Sequence, residues 1–289
     1  METGRRTART APAAPPAPNT VTAAAGARSA TAPPPTAEPA SNTALYADPA
    51  WTEGVDWVRR AGRHPADATG PTGRAPSLRT TVIAPHGGGI EGGTSELCLA
   101  TAGYDPAGLR PTPPDGPLYD FWMFEGLMSS GNSRLHVTST HCDDPVARSL
   151  CADSLTVLSL HGCGPEQAGL EPGAAAVLVG GLDTVFRRYL MEEFTAAGIR
   201  AVTASDDEEI AGVSPANICN RTLLGMGAQL EITTALRATM FAEGRNTLAT
   251  RATSLLPPFW TFVAATRGAI ERVRTGRTVR TGRTVRTGR

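Results

Sequence analysis

Short apolar runs separated by glycine-, proline- and threonine-rich loops fill the middle of this chain. Runs at 78–84, 119–127, 154–160 and 174–179 have the length of buried strands, and shorter strands are predicted at 134–138, 199–203 and 227–233. Helical spacing is predicted at 94–101, at 236–243 and from Asp183, a suitable N-cap, to about residue 197. In that last segment Val185, Tyr189, Leu190 and Phe194 recur at helical intervals. Apolar strands alternating with helices predict an α/β fold, a mostly parallel sheet covered on both faces. In such sheets sites form at the carboxyl ends of strands.

Composition divides the chain into three. Residues 1–45 are rich in Ala, Pro and Thr and carry almost no large apolar side chain, which predicts a disordered leader. Arg5 and Arg6 lack the continuous apolar stretch of a signal peptide. Residues 46–270 are long enough for one domain with a substantial core. From Val273 the unit Val-Arg-Thr-Gly-Arg-Thr repeats to the end, and its Gly and Thr content argues against helix, so 271–289 is predicted to be a disordered Arg-rich tail.

Charge sharpens this division. All 27 basic residues are Arg, balanced by 27 acids, yet residues 46–270 hold 16 Arg against 24 acids, and the two ends are basic. A net charge of zero excludes a uniformly basic nucleic-acid binder, so no specific nucleic acid is expected. No apolar stretch approaches the ~18 residues of a membrane span. The absence of Lys excludes Schiff-base chemistry and the Walker-type phosphate loop. Five Cys without Cys-x-x-Cys spacing exclude a thiolate zinc site and favour reduced thiols in a cytoplasmic setting.

The candidate chemistry lies where strands end. His86 follows the run at 78–84, and His161 follows Val157–Leu158–Ser159–Leu160, so buried parallel strands would bring both to one rim. Imidazole and carboxylate make a hydrolytic zinc centre, and glycines 87–89 would let His86 and Glu91 face one ion. A Gly-rich loop entering a helix also suits a phosphate. His161 is the best third ligand, with His136 and His141 as competitors. His136 reads as an internally bonded core residue, His141 as a lining residue and His64 as a solvated one. Glu231 is the single charge on its strand, on the face with Gln229 and Thr233. It suits a general base, or a partner for Arg237. Arg221 with Asn217 and Asn220 suits a substrate carboxylate. Cys163 is a lesser candidate nucleophile.

Seven ordered blocks then carry a resemblance over roughly 78–243: APHGGGIEGGTSE (84–96), FEG (124–126), LHVTSTH (135–141), SLHG (159–162), GGLD (180–183), NICNR (217–221) and QLEI (229–232). Together they resemble the poly-gamma-glutamate hydrolase family, which is similar in fold to zinc carboxypeptidases. The resemblance implies a three-layer α/β/α sandwich with a mixed sheet and an enzyme that opens gamma-glutamyl amides with zinc. It implies His86, Glu91 and His161 as metal ligands, Glu231 as catalytic base, and Arg221, Asn217, Asn220 and His141 as substrate contacts. The expected partner is poly-gamma-glutamate or a related glutamyl peptide, met by a monomer. Two departures stand out: Gly92 where the family usually has Pro, which would loosen the loop, and a long Pro-rich stretch at 105–117. Two rival readings are a zinc amidase acting on peptidoglycan peptides or N-acyl amino acids, and a non-catalytic binder of an anionic polymer.

Overall fold

In the computed structural model of this chain, residues 38–64, 79–112, 117–205 and 210–284 are described. The elements run α1 (Asn42–Ala47), β1 (Trp57–Gly62), β2 (Thr80–Gly88), α2 (Thr94–Ala102), β3 (Asp120–Gly126), α3 (Pro145–Ala152), β4 (Thr156–Cys163), β5 (Val177–Gly180), α4 (Thr184–Ala196), β6 (Ala201–Thr203), β7 (Ala228–Thr233), α5 (Thr234–Ala238) and α6 (Pro257–Thr284). The seven strands form one sheet in the order β1-β3-β2-β4-β7-β5-β6. The central four are parallel, β1 and β5 pair antiparallel at β3 and β7, and β6 is parallel to β5. This is the mixed α/β sandwich expected.

Side-chain alternation builds the two outer layers. Val82 and Ala84 of β2, Leu158 and Leu160 of β4, and Leu230 and Ile232 of β7 pack against α2, α4 and α6 in one core. Ile83, Trp122, Phe124 and Val157 point the other way, onto Leu45 of α1 and onto Ala147, Leu150 and Cys151 of α3. Trp122, Phe124, Phe186, Phe194, Phe259 and Phe262 are wholly buried, each worth roughly 1.5–3 kcal/mol of removed apolar surface.

Several expectations are corrected. The segment 134–138 is not a strand: its first two residues end the 3₁₀ turn Asn132–Leu135, and the rest leads into the turn Ser139–His141. The helix expected at 236–243 is the five-residue α5. The leader boundary at 45 is too late, because α1 begins at Asn42, capped by Ser41; residues 1–37 lie outside the described residues. His64 is not solvated. Its ring sits between Asp120 Oδ1 at 2.9 Å and Tyr104 Oη at 2.7 Å, and pins the end of β1 to the start of β3.

The largest difference is at the C-terminus, where α6 runs through the predicted disordered tail as far as Thr284; residues 285–289 lie outside the described residues. Packing overrides the poor propensity of Gly and Thr. Phe259, Phe262, Val263, Ile270 and Val273 are buried against the core shared with α4, where Phe194 and Phe262 stack at 4.9 Å. Arg272 bonds Glu193 Oε1 at 2.9 Å and also pairs with Glu192. Arg277, inside the first repeat, donates to Leu155 O at 2.6 Å, to Thr156 Oγ1 and to Asp183, the buried N-cap of α4. Removing one partner of a buried ion pair leaves the other charge uncompensated. Arg277→Ala should therefore destabilise the domain by about 3 kcal/mol, measured by denaturant unfolding.

Candidate functional site

Strict alternation would place His86 on the same face as Val82 and Ala84, among the helices of the apolar core. It does not lie there. Between Ala84 and Gly87 β2 advances three residues while β3 advances only from Met123 to Glu125, so β2 carries one extra residue. That bulge turns His86 to the opposite face. On neighbouring β4, Ser159 and His161 point to this face, and His161 is in register with Glu231 on β7. The three side chains meet at the carboxyl ends of three adjacent parallel strands.

Glu91 reaches the same point through the glycine loop. Gly88 has φ +64°, and a Cβ there would lie 2.5 Å from Gly126 O, so only glycine lets β2 leave the sheet beside β3. Two buried arginines hold the loop from below. Arg251 donates to Gly88 O at 2.5 Å and pairs with Glu96 at 3.3 Å, while Arg237 donates to Gly92 O at 2.8 Å. The loop is therefore braced at Gly92, where the sequence suggested looseness, and a Cβ at Gly92 would lie 2.9 Å from Arg251 Nη1.

Hydrogen-bond geometry fixes the charges. His86 Nε2 lies 2.8 Å from Val137 O, which can only accept, so Nε2 carries a hydrogen. Its Nδ1 faces Glu91 Oε1 at 2.7 Å and His161 Nδ1 at 3.0 Å. Glu91 Oε2 accepts from Gly162 N at 2.8 Å and lies 3.7 Å from His161 Nδ1. His161 Nε2 is held by Ser159 Oγ at 2.9 Å and Ser139 Oγ at 3.1 Å. Glu91 and the Nδ1 atoms of His86 and His161 thus converge, and the 2.7 Å contact of a carboxylate oxygen with the second nitrogen of His86 needs a proton or a cation between them. Burial alone would lower the His86 pKa and raise that of Glu91; their mutual attraction wins, moving His86 up and Glu91 down. Burial moves His161 down.

His86, Glu91 and His136 also bring ligating atoms within 4.8 Å of one another. The His136 ring lies 3.9 Å from that of His86, and its buried Nδ1 lacks a hydrogen-bond partner among the described residues, with Glu38 Oε1 at 3.5 Å. The expectation of an internally bonded core histidine is corrected, since the ring is half-buried against the site. Burial and then the neighbouring His86 push its pKa down to about 4, so it is neutral at pH 7.

Glu231 is 6% exposed and accepts from Gln229 Nε2 at 2.9 Å. Burial, reinforced by Glu91, pushes its pKa well above the usual carboxylate range. Arg237 is not its hydrogen-bond partner; that guanidinium is spent on Ile232 O, Gly92 O and Thr234 Oγ1. Cys163 beside it is pushed up to about 12 by burial and by Glu231, so it is a thiol and a poor nucleophile. All five cysteines are free and buried.

The residues expected to grip a substrate carboxylate are placed differently. Asn220 is buried, its amide donating to Gly212 O and Ser214 O and accepting from Gly227 N and Leu182 N. Asn217 is buried and bonded to Gln229 at 2.9 Å. Both caps serve the loop feeding the amino end of β7. Arg221 is exposed on that same loop, its Nε donating to Ala216 O, and the neighbouring Leu223 N bonds Ser154 O just before β4. This is the end of the sheet away from His86. His141 is exposed, on the turn that supplies Val137 O and Ser139.

A mixed α/β sandwich with an imidazole–carboxylate cluster at its strand ends has the architecture of the zinc-carboxypeptidase-like proteins. Within that class the chain belongs to the poly-gamma-glutamate hydrolase family, which it matches over residues 70–265. It is 39% identical over 181 residues to YndL of Bacillus subtilis, covering 63% of each protein, and 37% identical over 172 residues to the prophage-derived YoqZ of the same species. The chain spans only 63% and 55% of those two relatives. YmaC, also from Bacillus subtilis, is 30% identical over 196 residues, 67% of this chain and 73% of that one. A solved bacteriophage poly-gamma-glutamate hydrolase superposes with TM-score 0.64 at 29% identity, over 81% of this chain and 96% of that one. A zinc-free YndL structure superposes with TM-score 0.61 at 31% identity, over 78% and 93%.

Gly162 ties the cluster together. A Cβ there would lie 2.5 Å from Arg237 Cζ, while its N–H holds Glu91. Gly162→Ala should destabilise the fold by about 1–3 kcal/mol through overpacking, read as a lower midpoint of thermal unfolding.

Proposed function

We propose that the protein is a zinc-dependent amide hydrolase that opens gamma-glutamyl linkages, with poly-gamma-glutamate as its substrate. The observation that carries this reading is the convergence of His86 Nδ1, Glu91 and His161 Nδ1 beside the buried Glu231, in a chain of this family. Two nitrogens and a carboxylate suit zinc, and each imidazole has its far nitrogen anchored, by Val137 O or by Ser139 and Ser159. We assign His161 over His136 as third ligand because its Nδ1 faces the same two partners and its ring is fixed by two hydroxyls. A zinc ion bound there supplies Lewis acidity toward water and toward an amide carbonyl.

The chain's own residues then divide the work. Glu231 takes a proton from the attacking water as the C–O bond forms, and returns it to the amide nitrogen as the C–N bond then breaks. Its raised affinity for protons suits that double transfer. His141, exposed on the Ser139–His141 turn, and the half-buried His136 are the groups we assign to contact a glutamyl chain. Asn217 and Asn220 have their amides bonded within the fold, and Arg221 lies toward the other end of the sheet, so we do not assign them to substrate binding.

Purified protein should hold one zinc and cleave poly-gamma-glutamate, and lose both zinc and cleavage on chelation. Glu231→Gln should keep the zinc and lower kcat by about 10²–10⁴. Cleavage of muropeptides in place of the polymer would reassign the substrate. Metal-free protein that still bound the polymer would overturn the enzyme reading.

A further inference from the structure

Behind Glu231 lies a chain of amides that the reaction as stated does not use. Asn217 Oδ1 accepts from Cys219 N at 3.0 Å, and a backbone N–H can only donate, so the Asn217 amide has one possible orientation. Its Nδ2 therefore faces Gln229 Oε1, at 2.9 Å. Gln229 Nε2 in turn donates to Ile210 O at 3.0 Å and to Glu231 Oε1 at 2.9 Å. Ile210 O can only accept, which fixes Gln229 independently. Both ends of the chain are thus set by backbone groups, and every donor runs toward the carboxylate. Asn217, Gln229 and Glu231 are 4%, 4% and 6% exposed, so water does not compete. Gly212 leaves the room: at φ +68° it brings the backbone so close that a Cβ would lie 2.9 Å from Gln229 Cδ.

We infer that Gln229 and, through it, Asn217 are positioning residues for the base: they hold Glu231 by Oε1 so that Oε2 alone meets the reacting water. This rests on the reading of Glu231 as general base. The carboxylate has no other side-chain donor among the described residues, so without Gln229 it is free to turn about its last bond. Asn217 touches nothing that reacts, and its effect passes only through Gln229. The residue that the sequence suggested for gripping substrate acts, on this geometry, two hydrogen bonds behind the chemistry.

The test uses the full-length zinc-loaded protein on poly-gamma-glutamate. Gln229→Leu should lower kcat about 10- to 100-fold with KM within about twofold, and zinc retention against a chelator should be unchanged. Asn217→Ser, a milder change, should lower kcat about 3- to 10-fold in the same manner. In the Glu231→Gln background Gln229→Leu should cost less than about twofold more, because the group it positions is gone. Equal losses in both backgrounds, or a change confined to KM, would overturn the inference. Side-chain amide NMR reads the same chain without turnover: Glu231→Gln should move the Gln229 amide resonances, and Asn217→Ser should move them too. Unmoved resonances overturn the relay. If the wild-type protein cleaves no gamma-glutamyl substrate, the functional proposal fails, and the NMR result alone decides the relay.

Discussion

One extra residue in β2, between Ala84 and Gly87, decides which face of the sheet carries the chemistry. Without it His86 would point into the apolar core with Val82 and Ala84, and Glu91, five residues on, would lose its closest imidazole. With it, His86 crosses to the face of Ser159, His161, Gln229 and Glu231. The bulge needs glycine immediately after it, since the chain passes β3 at a distance that leaves no space for a Cβ at Gly88. The glycine run is thus a requirement of sheet geometry first, and of the imidazole–carboxylate cluster as its consequence.

Gathering charge in a dry place imposes the next layer of structure. Glu91 raises the cost of ionising Glu231, while the His86 and His161 imidazoles and Gly162 N lower that of Glu91 itself. Glu231 receives only Gln229. Two carboxylates a short distance apart therefore separate into one held ionised and one with raised proton affinity, a division that environment alone produces. Arg237 contributes positive potential to Glu231 without hydrogen-bonding it, because its fork is occupied by Ile232 O, Gly92 O and Thr234 Oγ1.

Much of this was legible in the sequence, and the limits have physical causes. The central strands showed themselves as apolar runs, and the placement of His86 and His161 just past two of them pointed to one rim. The solitary charge at Glu231 on a strand face stood out for the same reason. The bulge did not show, since it exists only in the pairing of β2 with β3. Asn217 and Asn220 were misjudged because an amide that caps a loop and one that grips a ligand have the same composition; only their partners differ. For α3 a signal was present and missed, Asp144 as N-cap followed by Pro145. For α6 the signal covered its first half, where Pro257 and Pro258 open the helix and Phe259, Phe262, Val263, Ile270 and Val273 recur at helical spacing; the repeat beyond has weak propensity.

The absence of lysine takes on a structural meaning beside these contacts. A guanidinium offers five donors in a plane and an ammonium three around a point, so only arginine can hold two carbonyls from separate segments at fixed angles. Arg237 joins Ile232 O to Gly92 O, Arg267 joins Thr101 O to Pro117 O, and Arg187 joins Gly181 O to Ala204 O. Arg251 joins Gly88 O to Glu96, and Arg277 joins Leu155 O to Asp183. Arginine here replaces backbone pairing wherever loops and helices meet the sheet. Several cations of the body are thereby engaged in holding the fold.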